Sequence, residues 1–95
     1  MPKHPMLKVD LTTFFLSISS AAFMGLGLVP HVDSQGQKKE TKVDLELARQ
    51  NIDLLELMQE KTKGNRTSEE DRLIEQLLFE TRMRFLEVQK ELTPS

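Results

Sequence analysis

The side chains in this sequence that could perform chemistry are two histidines, a scatter of carboxylates and a group of serines near the N-terminus. His4 and His31 are remote from each other, and neither lies at the Glu-x-x-His spacing with which a helix holds a metal. Ser17, Ser19 and Ser20 have no general base within reach by sequence, which an activated hydroxyl requires. We therefore expect no metal and no catalytic residue.

Glycine and cysteine usage narrows the chemistry further. The four glycines fall at predicted helix ends, in an apolar segment or in a polar linker, so they form no phosphate-binding loop. The absence of cysteine excludes disulfides and thiol chemistry, and it suits a reducing compartment. With 13 basic and 15 acidic residues, the chain has no basic footprint for nucleic acid. We expect a non-enzymatic cytoplasmic protein with no cofactor and no nucleic-acid partner.

Three helices would have to position any site, and the sequence predicts them within a single all-α domain. Asp10 and Asp44 stand at N-cap positions, and Thr67 with Glu70 forms a capping box. Gly27 suits the left-handed position that follows a helix. The predicted elements are a mobile tail at 1–10, helix 1 at 11–27, a polar linker at 31–43, helix 2 at 44–63 and helix 3 at 67–92.

Hydrophobic spacing predicts how helices 2 and 3 pack. Apolar residues recur at spacings of three and four, which places them on one face of each helix. On helix 2 this stripe comprises Leu45, Ala48, Ile52 and Leu55, widened by Leu47, Leu54 and Met58. On helix 3 the matching seam comprises Ile74, Leu78, Thr81, Phe85, Val88 and Leu92. Because only residues 64–66 connect the two helices, we expect an antiparallel hairpin.

More apolar surface remains than this hairpin covers. A second stripe on helix 3 lies more than a quarter turn from the seam, and helix 1 is apolar on every side. A second copy of the chain would cover both, so we expect a homo-oligomer, with a dimer favoured over an unidentified protein partner. The predicted interface comprises Phe15, Ile18 and Phe23 of helix 1 with Phe79, Met83 and Leu86 of helix 3.

The uncharged segment 12–27 has three interpretations. A membrane span needs about 20 apolar residues, which the stretch 11–29 just supplies, but it contains several hydroxyl groups and the chain lacks Trp and Tyr. A signal peptide would end at a small-residue site such as 20–22, although Asp10 at the edge of the segment argues against one. We favour a helix buried in protein because helices 2 and 3 need a partner.

One long stretch, "LARQNIDLLELMQEKTKGNRTSEE", followed by "LLFETRMRF", closely resembles a bacterial family designated domain of unknown function 1844. The segment "TFFLSISSAAFMGLGLVP" resembles that family's first helix, with its small residues and its Leu-Gly-x-x-Pro ending. The resemblance covers most of residues 12–86 and implies a small all-helical protein with no assigned activity. Departures are Phe79 for an expected tyrosine, Arg66 for a common apolar residue, and a variable linker at 33–42.

A polar run on helix 2 is the part of this resemblance that helical periodicity does not require. Its residues are Arg49, Gln50, Asp53, Gln59, Glu60 and Lys61. We favour a structural role in orienting the hairpin over a partner-facing strip, and we expect i, i+4 ion pairs at Arg49–Asp53 and Glu80–Arg84. The sequence thus predicts a self-associating interaction module of unknown cellular role, with a membrane-associated adaptor holding helix 1 in lipid as the alternative.

Overall fold

The computed structural model describes residues 10–28, 31–32, 38–39 and 42–92. They contain three helices, α1 (Leu11–Gly25), α2 (Leu45–Lys61) and α3 (Ser68–Leu92), each inside its predicted range. The prediction of an all-α fold, with a hairpin of two long helices and an apolar N-terminal helix, is confirmed. Of the predicted tail at 1–10, only Asp10 lies within the described residues.

The helices begin where polar side chains replace missing backbone partners. The carboxylates of Asp10 and Asp44 each accept the backbone N–H three residues further on, at 2.9 Å and 3.1 Å. Before α3, the Thr67 N–H donates to the Glu70 carboxylate at 2.7 Å, while the Glu70 N–H donates to the Thr67 hydroxyl at 3.1 Å. The predicted caps and capping box are therefore present, and they satisfy donors that the helices leave free.

The C-terminal end of α1 is a Schellman turn built around Gly27. Gly27 has a φ of 76°, which a glycine adopts without steric cost. Its N–H donates to the Met24 carbonyl at 3.0 Å, and the Leu28 N–H donates to the Phe23 carbonyl at 3.0 Å. These two bonds define the motif, in which the residues at the Phe23 and Leu28 positions commonly make an apolar contact.

The core lies between one line of α1 and the facing sides of the hairpin. Its larger cluster consists of Phe15, Ile18, Ala22, Ile52, Leu55, Ile74, Leu77 and Leu78. Its smaller cluster consists of Leu26, Ala48 and Val88. The order of these residues along the chain shows that α1 runs antiparallel to α2 and parallel to α3. Helix α1 therefore packs against both helices of its own chain.

The predicted linker at 31–43 contains a short β-ladder that the sequence analysis did not anticipate. Strands β1 (His31–Val32) and β2 (Lys38–Lys39) pair antiparallel, with His31 opposite Lys39 and Val32 opposite Lys38. A strand becomes visible in a sequence through alternation over about four to eight residues. Two residues on each side are too few to produce that signal.

Candidate functional site

The outward face of α3 carries three large apolar side chains, which we call the α3 stripe: Phe79, Met83 and Leu86. They are 64%, 46% and 62% exposed. At about 100° per residue all three lie at least about 120° around the helix from the buried Ile74. Scattered apolar residues are normal on a protein surface, whereas three in adjoining turns of one helix form a patch typical of a binding site.

A groove of about 630 Å³ extends this patch towards α1. Its apolar lining is provided by Phe23 and Leu28 at the Schellman turn and by Met83 of the α3 stripe. Glu80, Arg84 and Glu87 complete the lining. The groove thus combines apolar and charged side chains, and protein interfaces contain both, with the apolar ones at the centre and the charged ones at the rim.

The structure separates the six residues of the predicted interface into two groups. Phe15 and Ile18 are buried in the core of their own chain, so they have no surface to offer a second copy in this arrangement. They lie in the core and not on the surface where the sequence analysis places them, because the hairpin buries the line of α1 on which they lie. Phe23 lines the groove, and the α3 stripe is exposed, so a surface reaching from α1 to α3 remains.

Helix α2 has a second apolar face, and part of it was predicted to lie in the core. We call it the α2 seam and define it as Leu47, Leu54 and Leu57, of which Leu47 is half-buried and the other two are exposed. Leu54 was expected to widen the core stripe. That expectation is wrong, because α2 packs Ile52 and Leu55 into the core and this orientation leaves Leu54 facing solvent. The alternating three- and four-residue steps from 47 to 61 are the sequence signal that identifies this face.

The buried polar side chains bond to the backbone of their own helices. Ser19 donates to the Leu16 carbonyl at 3.0 Å, Asn51 to the Leu47 carbonyl at 2.9 Å, and Thr81 to the Leu77 carbonyl at 2.7 Å. Among the described residues, every buried side-chain nitrogen and oxygen has a partner. These hydrogen bonds satisfy the polar groups that the fold buries. The three side chains do not converge on a shared point where a substrate would react.

The ion pairs of the hairpin differ from those predicted. In residues 42–92 the charged contacts on the helix faces join Arg82 to Glu56 at 2.6 Å and Arg84 to Glu87 at 3.7 Å. The i, i+4 pairs expected at Arg49–Asp53 and Glu80–Arg84 are not among them, so that prediction is wrong. Arg82 instead reaches across to α2, since antiparallel packing brings an opposite charge within range. Both pairs are exposed and contribute little to stability.

A comparison with known families identifies the chain by its sequence. Residues 8–87 match the family described as domain of unknown function (DUF1844). The chain belongs to this family. Neither the curated proteins nor the solved structures include a match. The matched region contains α1, α2 and most of α3, and therefore both the α3 stripe and the α2 seam.

One departure from the family resemblance has a clear structural role. The Arg66 side chain is only 13% exposed and donates to the Asp71 carboxylate at 2.5 Å and to the Thr62 hydroxyl at 3.0 Å. It also donates to the backbone carbonyl of Gln59 in the last turn of α2. Arg66 therefore joins the end of α2 to the start of α3, placing a cation at the negative end of one helix dipole.

No helix among the described residues has the length and apolarity needed to cross a bilayer. This finding concerns α1 in particular, because α1 is the most apolar helix and spans 15 residues.

Proposed function

We propose that this protein is a non-enzymatic interaction module that self-associates, with two copies pairing through the α3 stripe. The observation that carries the proposal is the exposure of Phe79, Met83 and Leu86 on a face that none of the three described helices covers. The adjoining groove at Phe23 and Leu28 extends the apolar surface beyond a single helix.

The free energy available from covering the α3 stripe supports pairing. Complete burial of a side chain of this size stabilises by about 1.5 to 3 kcal/mol. Since about half to two thirds of each side chain is still exposed, covering the stripe adds about 1 to 2 kcal/mol per residue. In a symmetric interface each copy contributes this free energy once. The sum of the two contributions must outweigh the entropy lost on association.

The order of residues on α3 suits an antiparallel crossing about a two-fold axis. An axis next to Met83 places Phe79 of one copy opposite Leu86 of the other, and symmetry repeats that contact. The same axis places Glu75 opposite Lys90, both of which are exposed. Opposite charges at the border then favour this register, while the apolar centre provides most of the affinity.

Sedimentation equilibrium on the full chain, at micromolar concentration, tests the proposal. We expect a dimer mass for the wild type and a monomer mass for Phe79→Glu and Leu86→Glu, because each change buries a charge without a partner. Gln89→Glu is the matched control, since it adds the same charge to an exposed position of α3 outside the stripe. A monomeric wild type, or a Phe79→Glu variant that keeps the dimer mass, would rule out pairing through α3.

The proposal also places the protein in the cytoplasm. Support comes from the composition without cysteine and from the burial of α1 against its own hairpin, which gives that helix protein neighbours in place of lipid. Cell fractionation separates this location from the membrane-adaptor alternative. We expect the chain in the supernatant, and its recovery in the membrane pellet would favour the adaptor.

A further inference from the structure

The α2 seam is a second apolar surface, and pairing through the α3 stripe leaves it uncovered. At about 100° per residue, Leu54 and Leu57 lie close to half a turn from the core residue Ile52. Helix α3 approaches α2 from another side, where Arg82 pairs with Glu56. The seam is therefore a surface separate from the α3 stripe, and within the described part of the chain its Leu54 and Leu57 are exposed.

The spacing of the seam fits a straight neighbouring helix. From Leu47 the positions advance by three, four and three residues through Gln50, Leu54 and Leu57. This is the repeat with which two helices interlock their side chains. Gln50 is the single polar position inside the seam, and one polar residue at such a position fixes the register between paired helices.

Phe14 of α1 is an exposed apolar residue on the side of α1 that faces α2. It lies eleven residues before Gly25, so the two positions differ by only about 20° around α1. Gly25 faces α2, where its Cα comes close to the backbone of Ala48. Because α1 and α2 are antiparallel, Phe14 stands on the α2 side near the C-terminal half of α2, and it is exposed there.

Charge along one edge of the seam indicates what kind of helix would bind. Glu46, Asp53 and Glu60 follow one another at seven-residue intervals, all are exposed, and none has an ion-pair partner among residues 42–92. Two α2 helices in an antiparallel pair would bring these acidic edges together, which repels. In a parallel pair, the acidic edge of one α2 helix would have to pack against the opposite edge of the other α2 helix. That opposite edge is covered by α1. A second copy of α2 therefore does not suit the seam.

We infer that the α2 seam binds an amphipathic helix of a partner protein, one whose leucine-type residues follow the same four- and three-residue steps and whose adjoining edge carries lysine or arginine. The apolar residues enter the seam beside Leu54 and Leu57, and the basic edge lies along Glu46, Asp53 and Glu60. This is helix-in-groove recognition with an electrostatic border that selects the partner. The same acidic edge repels an anionic lipid surface.

A pair of model peptides tests this inference on the full chain. The first is a labelled helix of about three heptads with leucine at the core positions and lysine along its edges. The second has glutamate in place of every lysine. By fluorescence anisotropy we expect the lysine peptide to bind at least about tenfold more tightly than the glutamate peptide. The preference should shrink as salt is raised.

Variants of the chain locate the binding surface. Leu54→Ala with Leu57→Ala should weaken binding of the lysine peptide by about tenfold or more. The charge variant Glu46→Gln, Asp53→Asn, Glu60→Gln should abolish the preference for the lysine peptide. Leu16→Ala is the matched control, because it removes the same type of side chain from an exposed position of α1 outside both the α3 stripe and the α2 seam, and it should leave peptide affinity unchanged. Unchanged binding by the Leu54 and Leu57 variant, or a loss of binding in Leu16→Ala, would overturn the assignment.

Two further readouts separate this inference from the proposed function. The Leu54 and Leu57 variant should keep the sedimentation mass of the wild type, since the α3 stripe is intact. Vesicles containing an anionic lipid should not bind the chain. Vesicle binding that Leu54→Ala reduces would assign the seam to a membrane and overturn the inference. The peptide-binding measurements decide whether the seam binds a helix, and they do so even if the chain is monomeric.

Discussion

Replacement of Gly25 by alanine tests whether α1 and α2 depend on the close approach of their backbones. A Cβ added at Gly25 would lie 2.7 Å from the Ala48 nitrogen and 2.9 Å from the Asp44 carbonyl oxygen. Both are backbone atoms of the start of α2, so no side-chain rotation relieves the overlap. The Asp44 N–H also donates to the Gly25 carbonyl at 2.6 Å, which ties the two segments together at the same point.

The magnitude follows from the displacement that alanine would force. Ordinary contact begins at 3.4 Å, so the 2.7 Å approach must lengthen by 0.7 Å (3.4 − 2.7). Overpacking of this kind costs about 1 to 3 kcal/mol, and weakening the hydrogen bond at Asp44 costs about 0.5 to 1.5 kcal/mol. The better helix propensity of alanine offsets about 1 kcal/mol. We expect Gly25→Ala to lower the free energy of unfolding by about 1 to 3 kcal/mol.

Urea unfolding followed by far-UV circular dichroism measures this change, since the chain has no Trp or Tyr for fluorescence. The expected loss corresponds to a Tm lower by about 4 to 8 °C per kcal/mol. Ser20→Ala is the control, because it introduces the same residue at an exposed position of α1 and should be neutral or slightly stabilising. A Gly25→Ala protein as stable as the Ser20→Ala protein would refute the close-contact reasoning.

Two other predictions compare neighbouring or paired residues. Phe15 is fully buried, so Phe15→Ala should lower the free energy of unfolding by about 3 to 5 kcal/mol. Phe14 is 42% exposed, so Phe14→Ala should lower it much less in the same urea titration. Equal losses would contradict the inward orientation of Phe15. Arg66→Leu removes hydrogen bonds from a mostly buried side chain and should lower the free energy of unfolding by about 1 to 3 kcal/mol. Asp71→Asn changes a half-exposed carboxylate and should lower it by less than about 1 kcal/mol. A larger effect at Asp71 would show that the ion pair contributes more than the backbone contact of Arg66.

Local signals in the sequence were sufficient for the caps and for most of the core. The capping box at Thr67 and Glu70 depends on two residues three apart, and the turn at Gly27 depends on one glycine after an apolar run. Neither needs information from elsewhere in the chain. The burial of Ala48 and Ile74 could be predicted equally well, because each belongs to a stripe that repeats with the period of the helix.

The surfaces were harder to predict because periodicity identifies a stripe without identifying what covers it. Helix α1 is apolar all round, so its pattern gave no preferred direction, and Phe15 was assigned to an interface while it is buried in the chain's own core. On α2 the opposite error occurred, since Leu54 was assigned to the core and is exposed. Ion pairs depend on side-chain positions across helices, and the partner of Arg82 lies 26 residues away on α2.

The core and the two proposed binding surfaces use different positions of the helices, and this separation makes the functional proposals testable. The core takes one line from each helix, including Phe15, Leu55 and Leu78. The α3 stripe and the α2 seam occupy the outward lines, where truncation removes little packing. Leu86 variants should therefore weaken self-association and Leu54 variants should weaken peptide binding, and both should leave the unfolding midpoint of the monomer nearly unchanged. Phe15→Ala should do the reverse. If outward variants instead unfold the chain, those residues stabilise the fold, and the case for two binding faces fails.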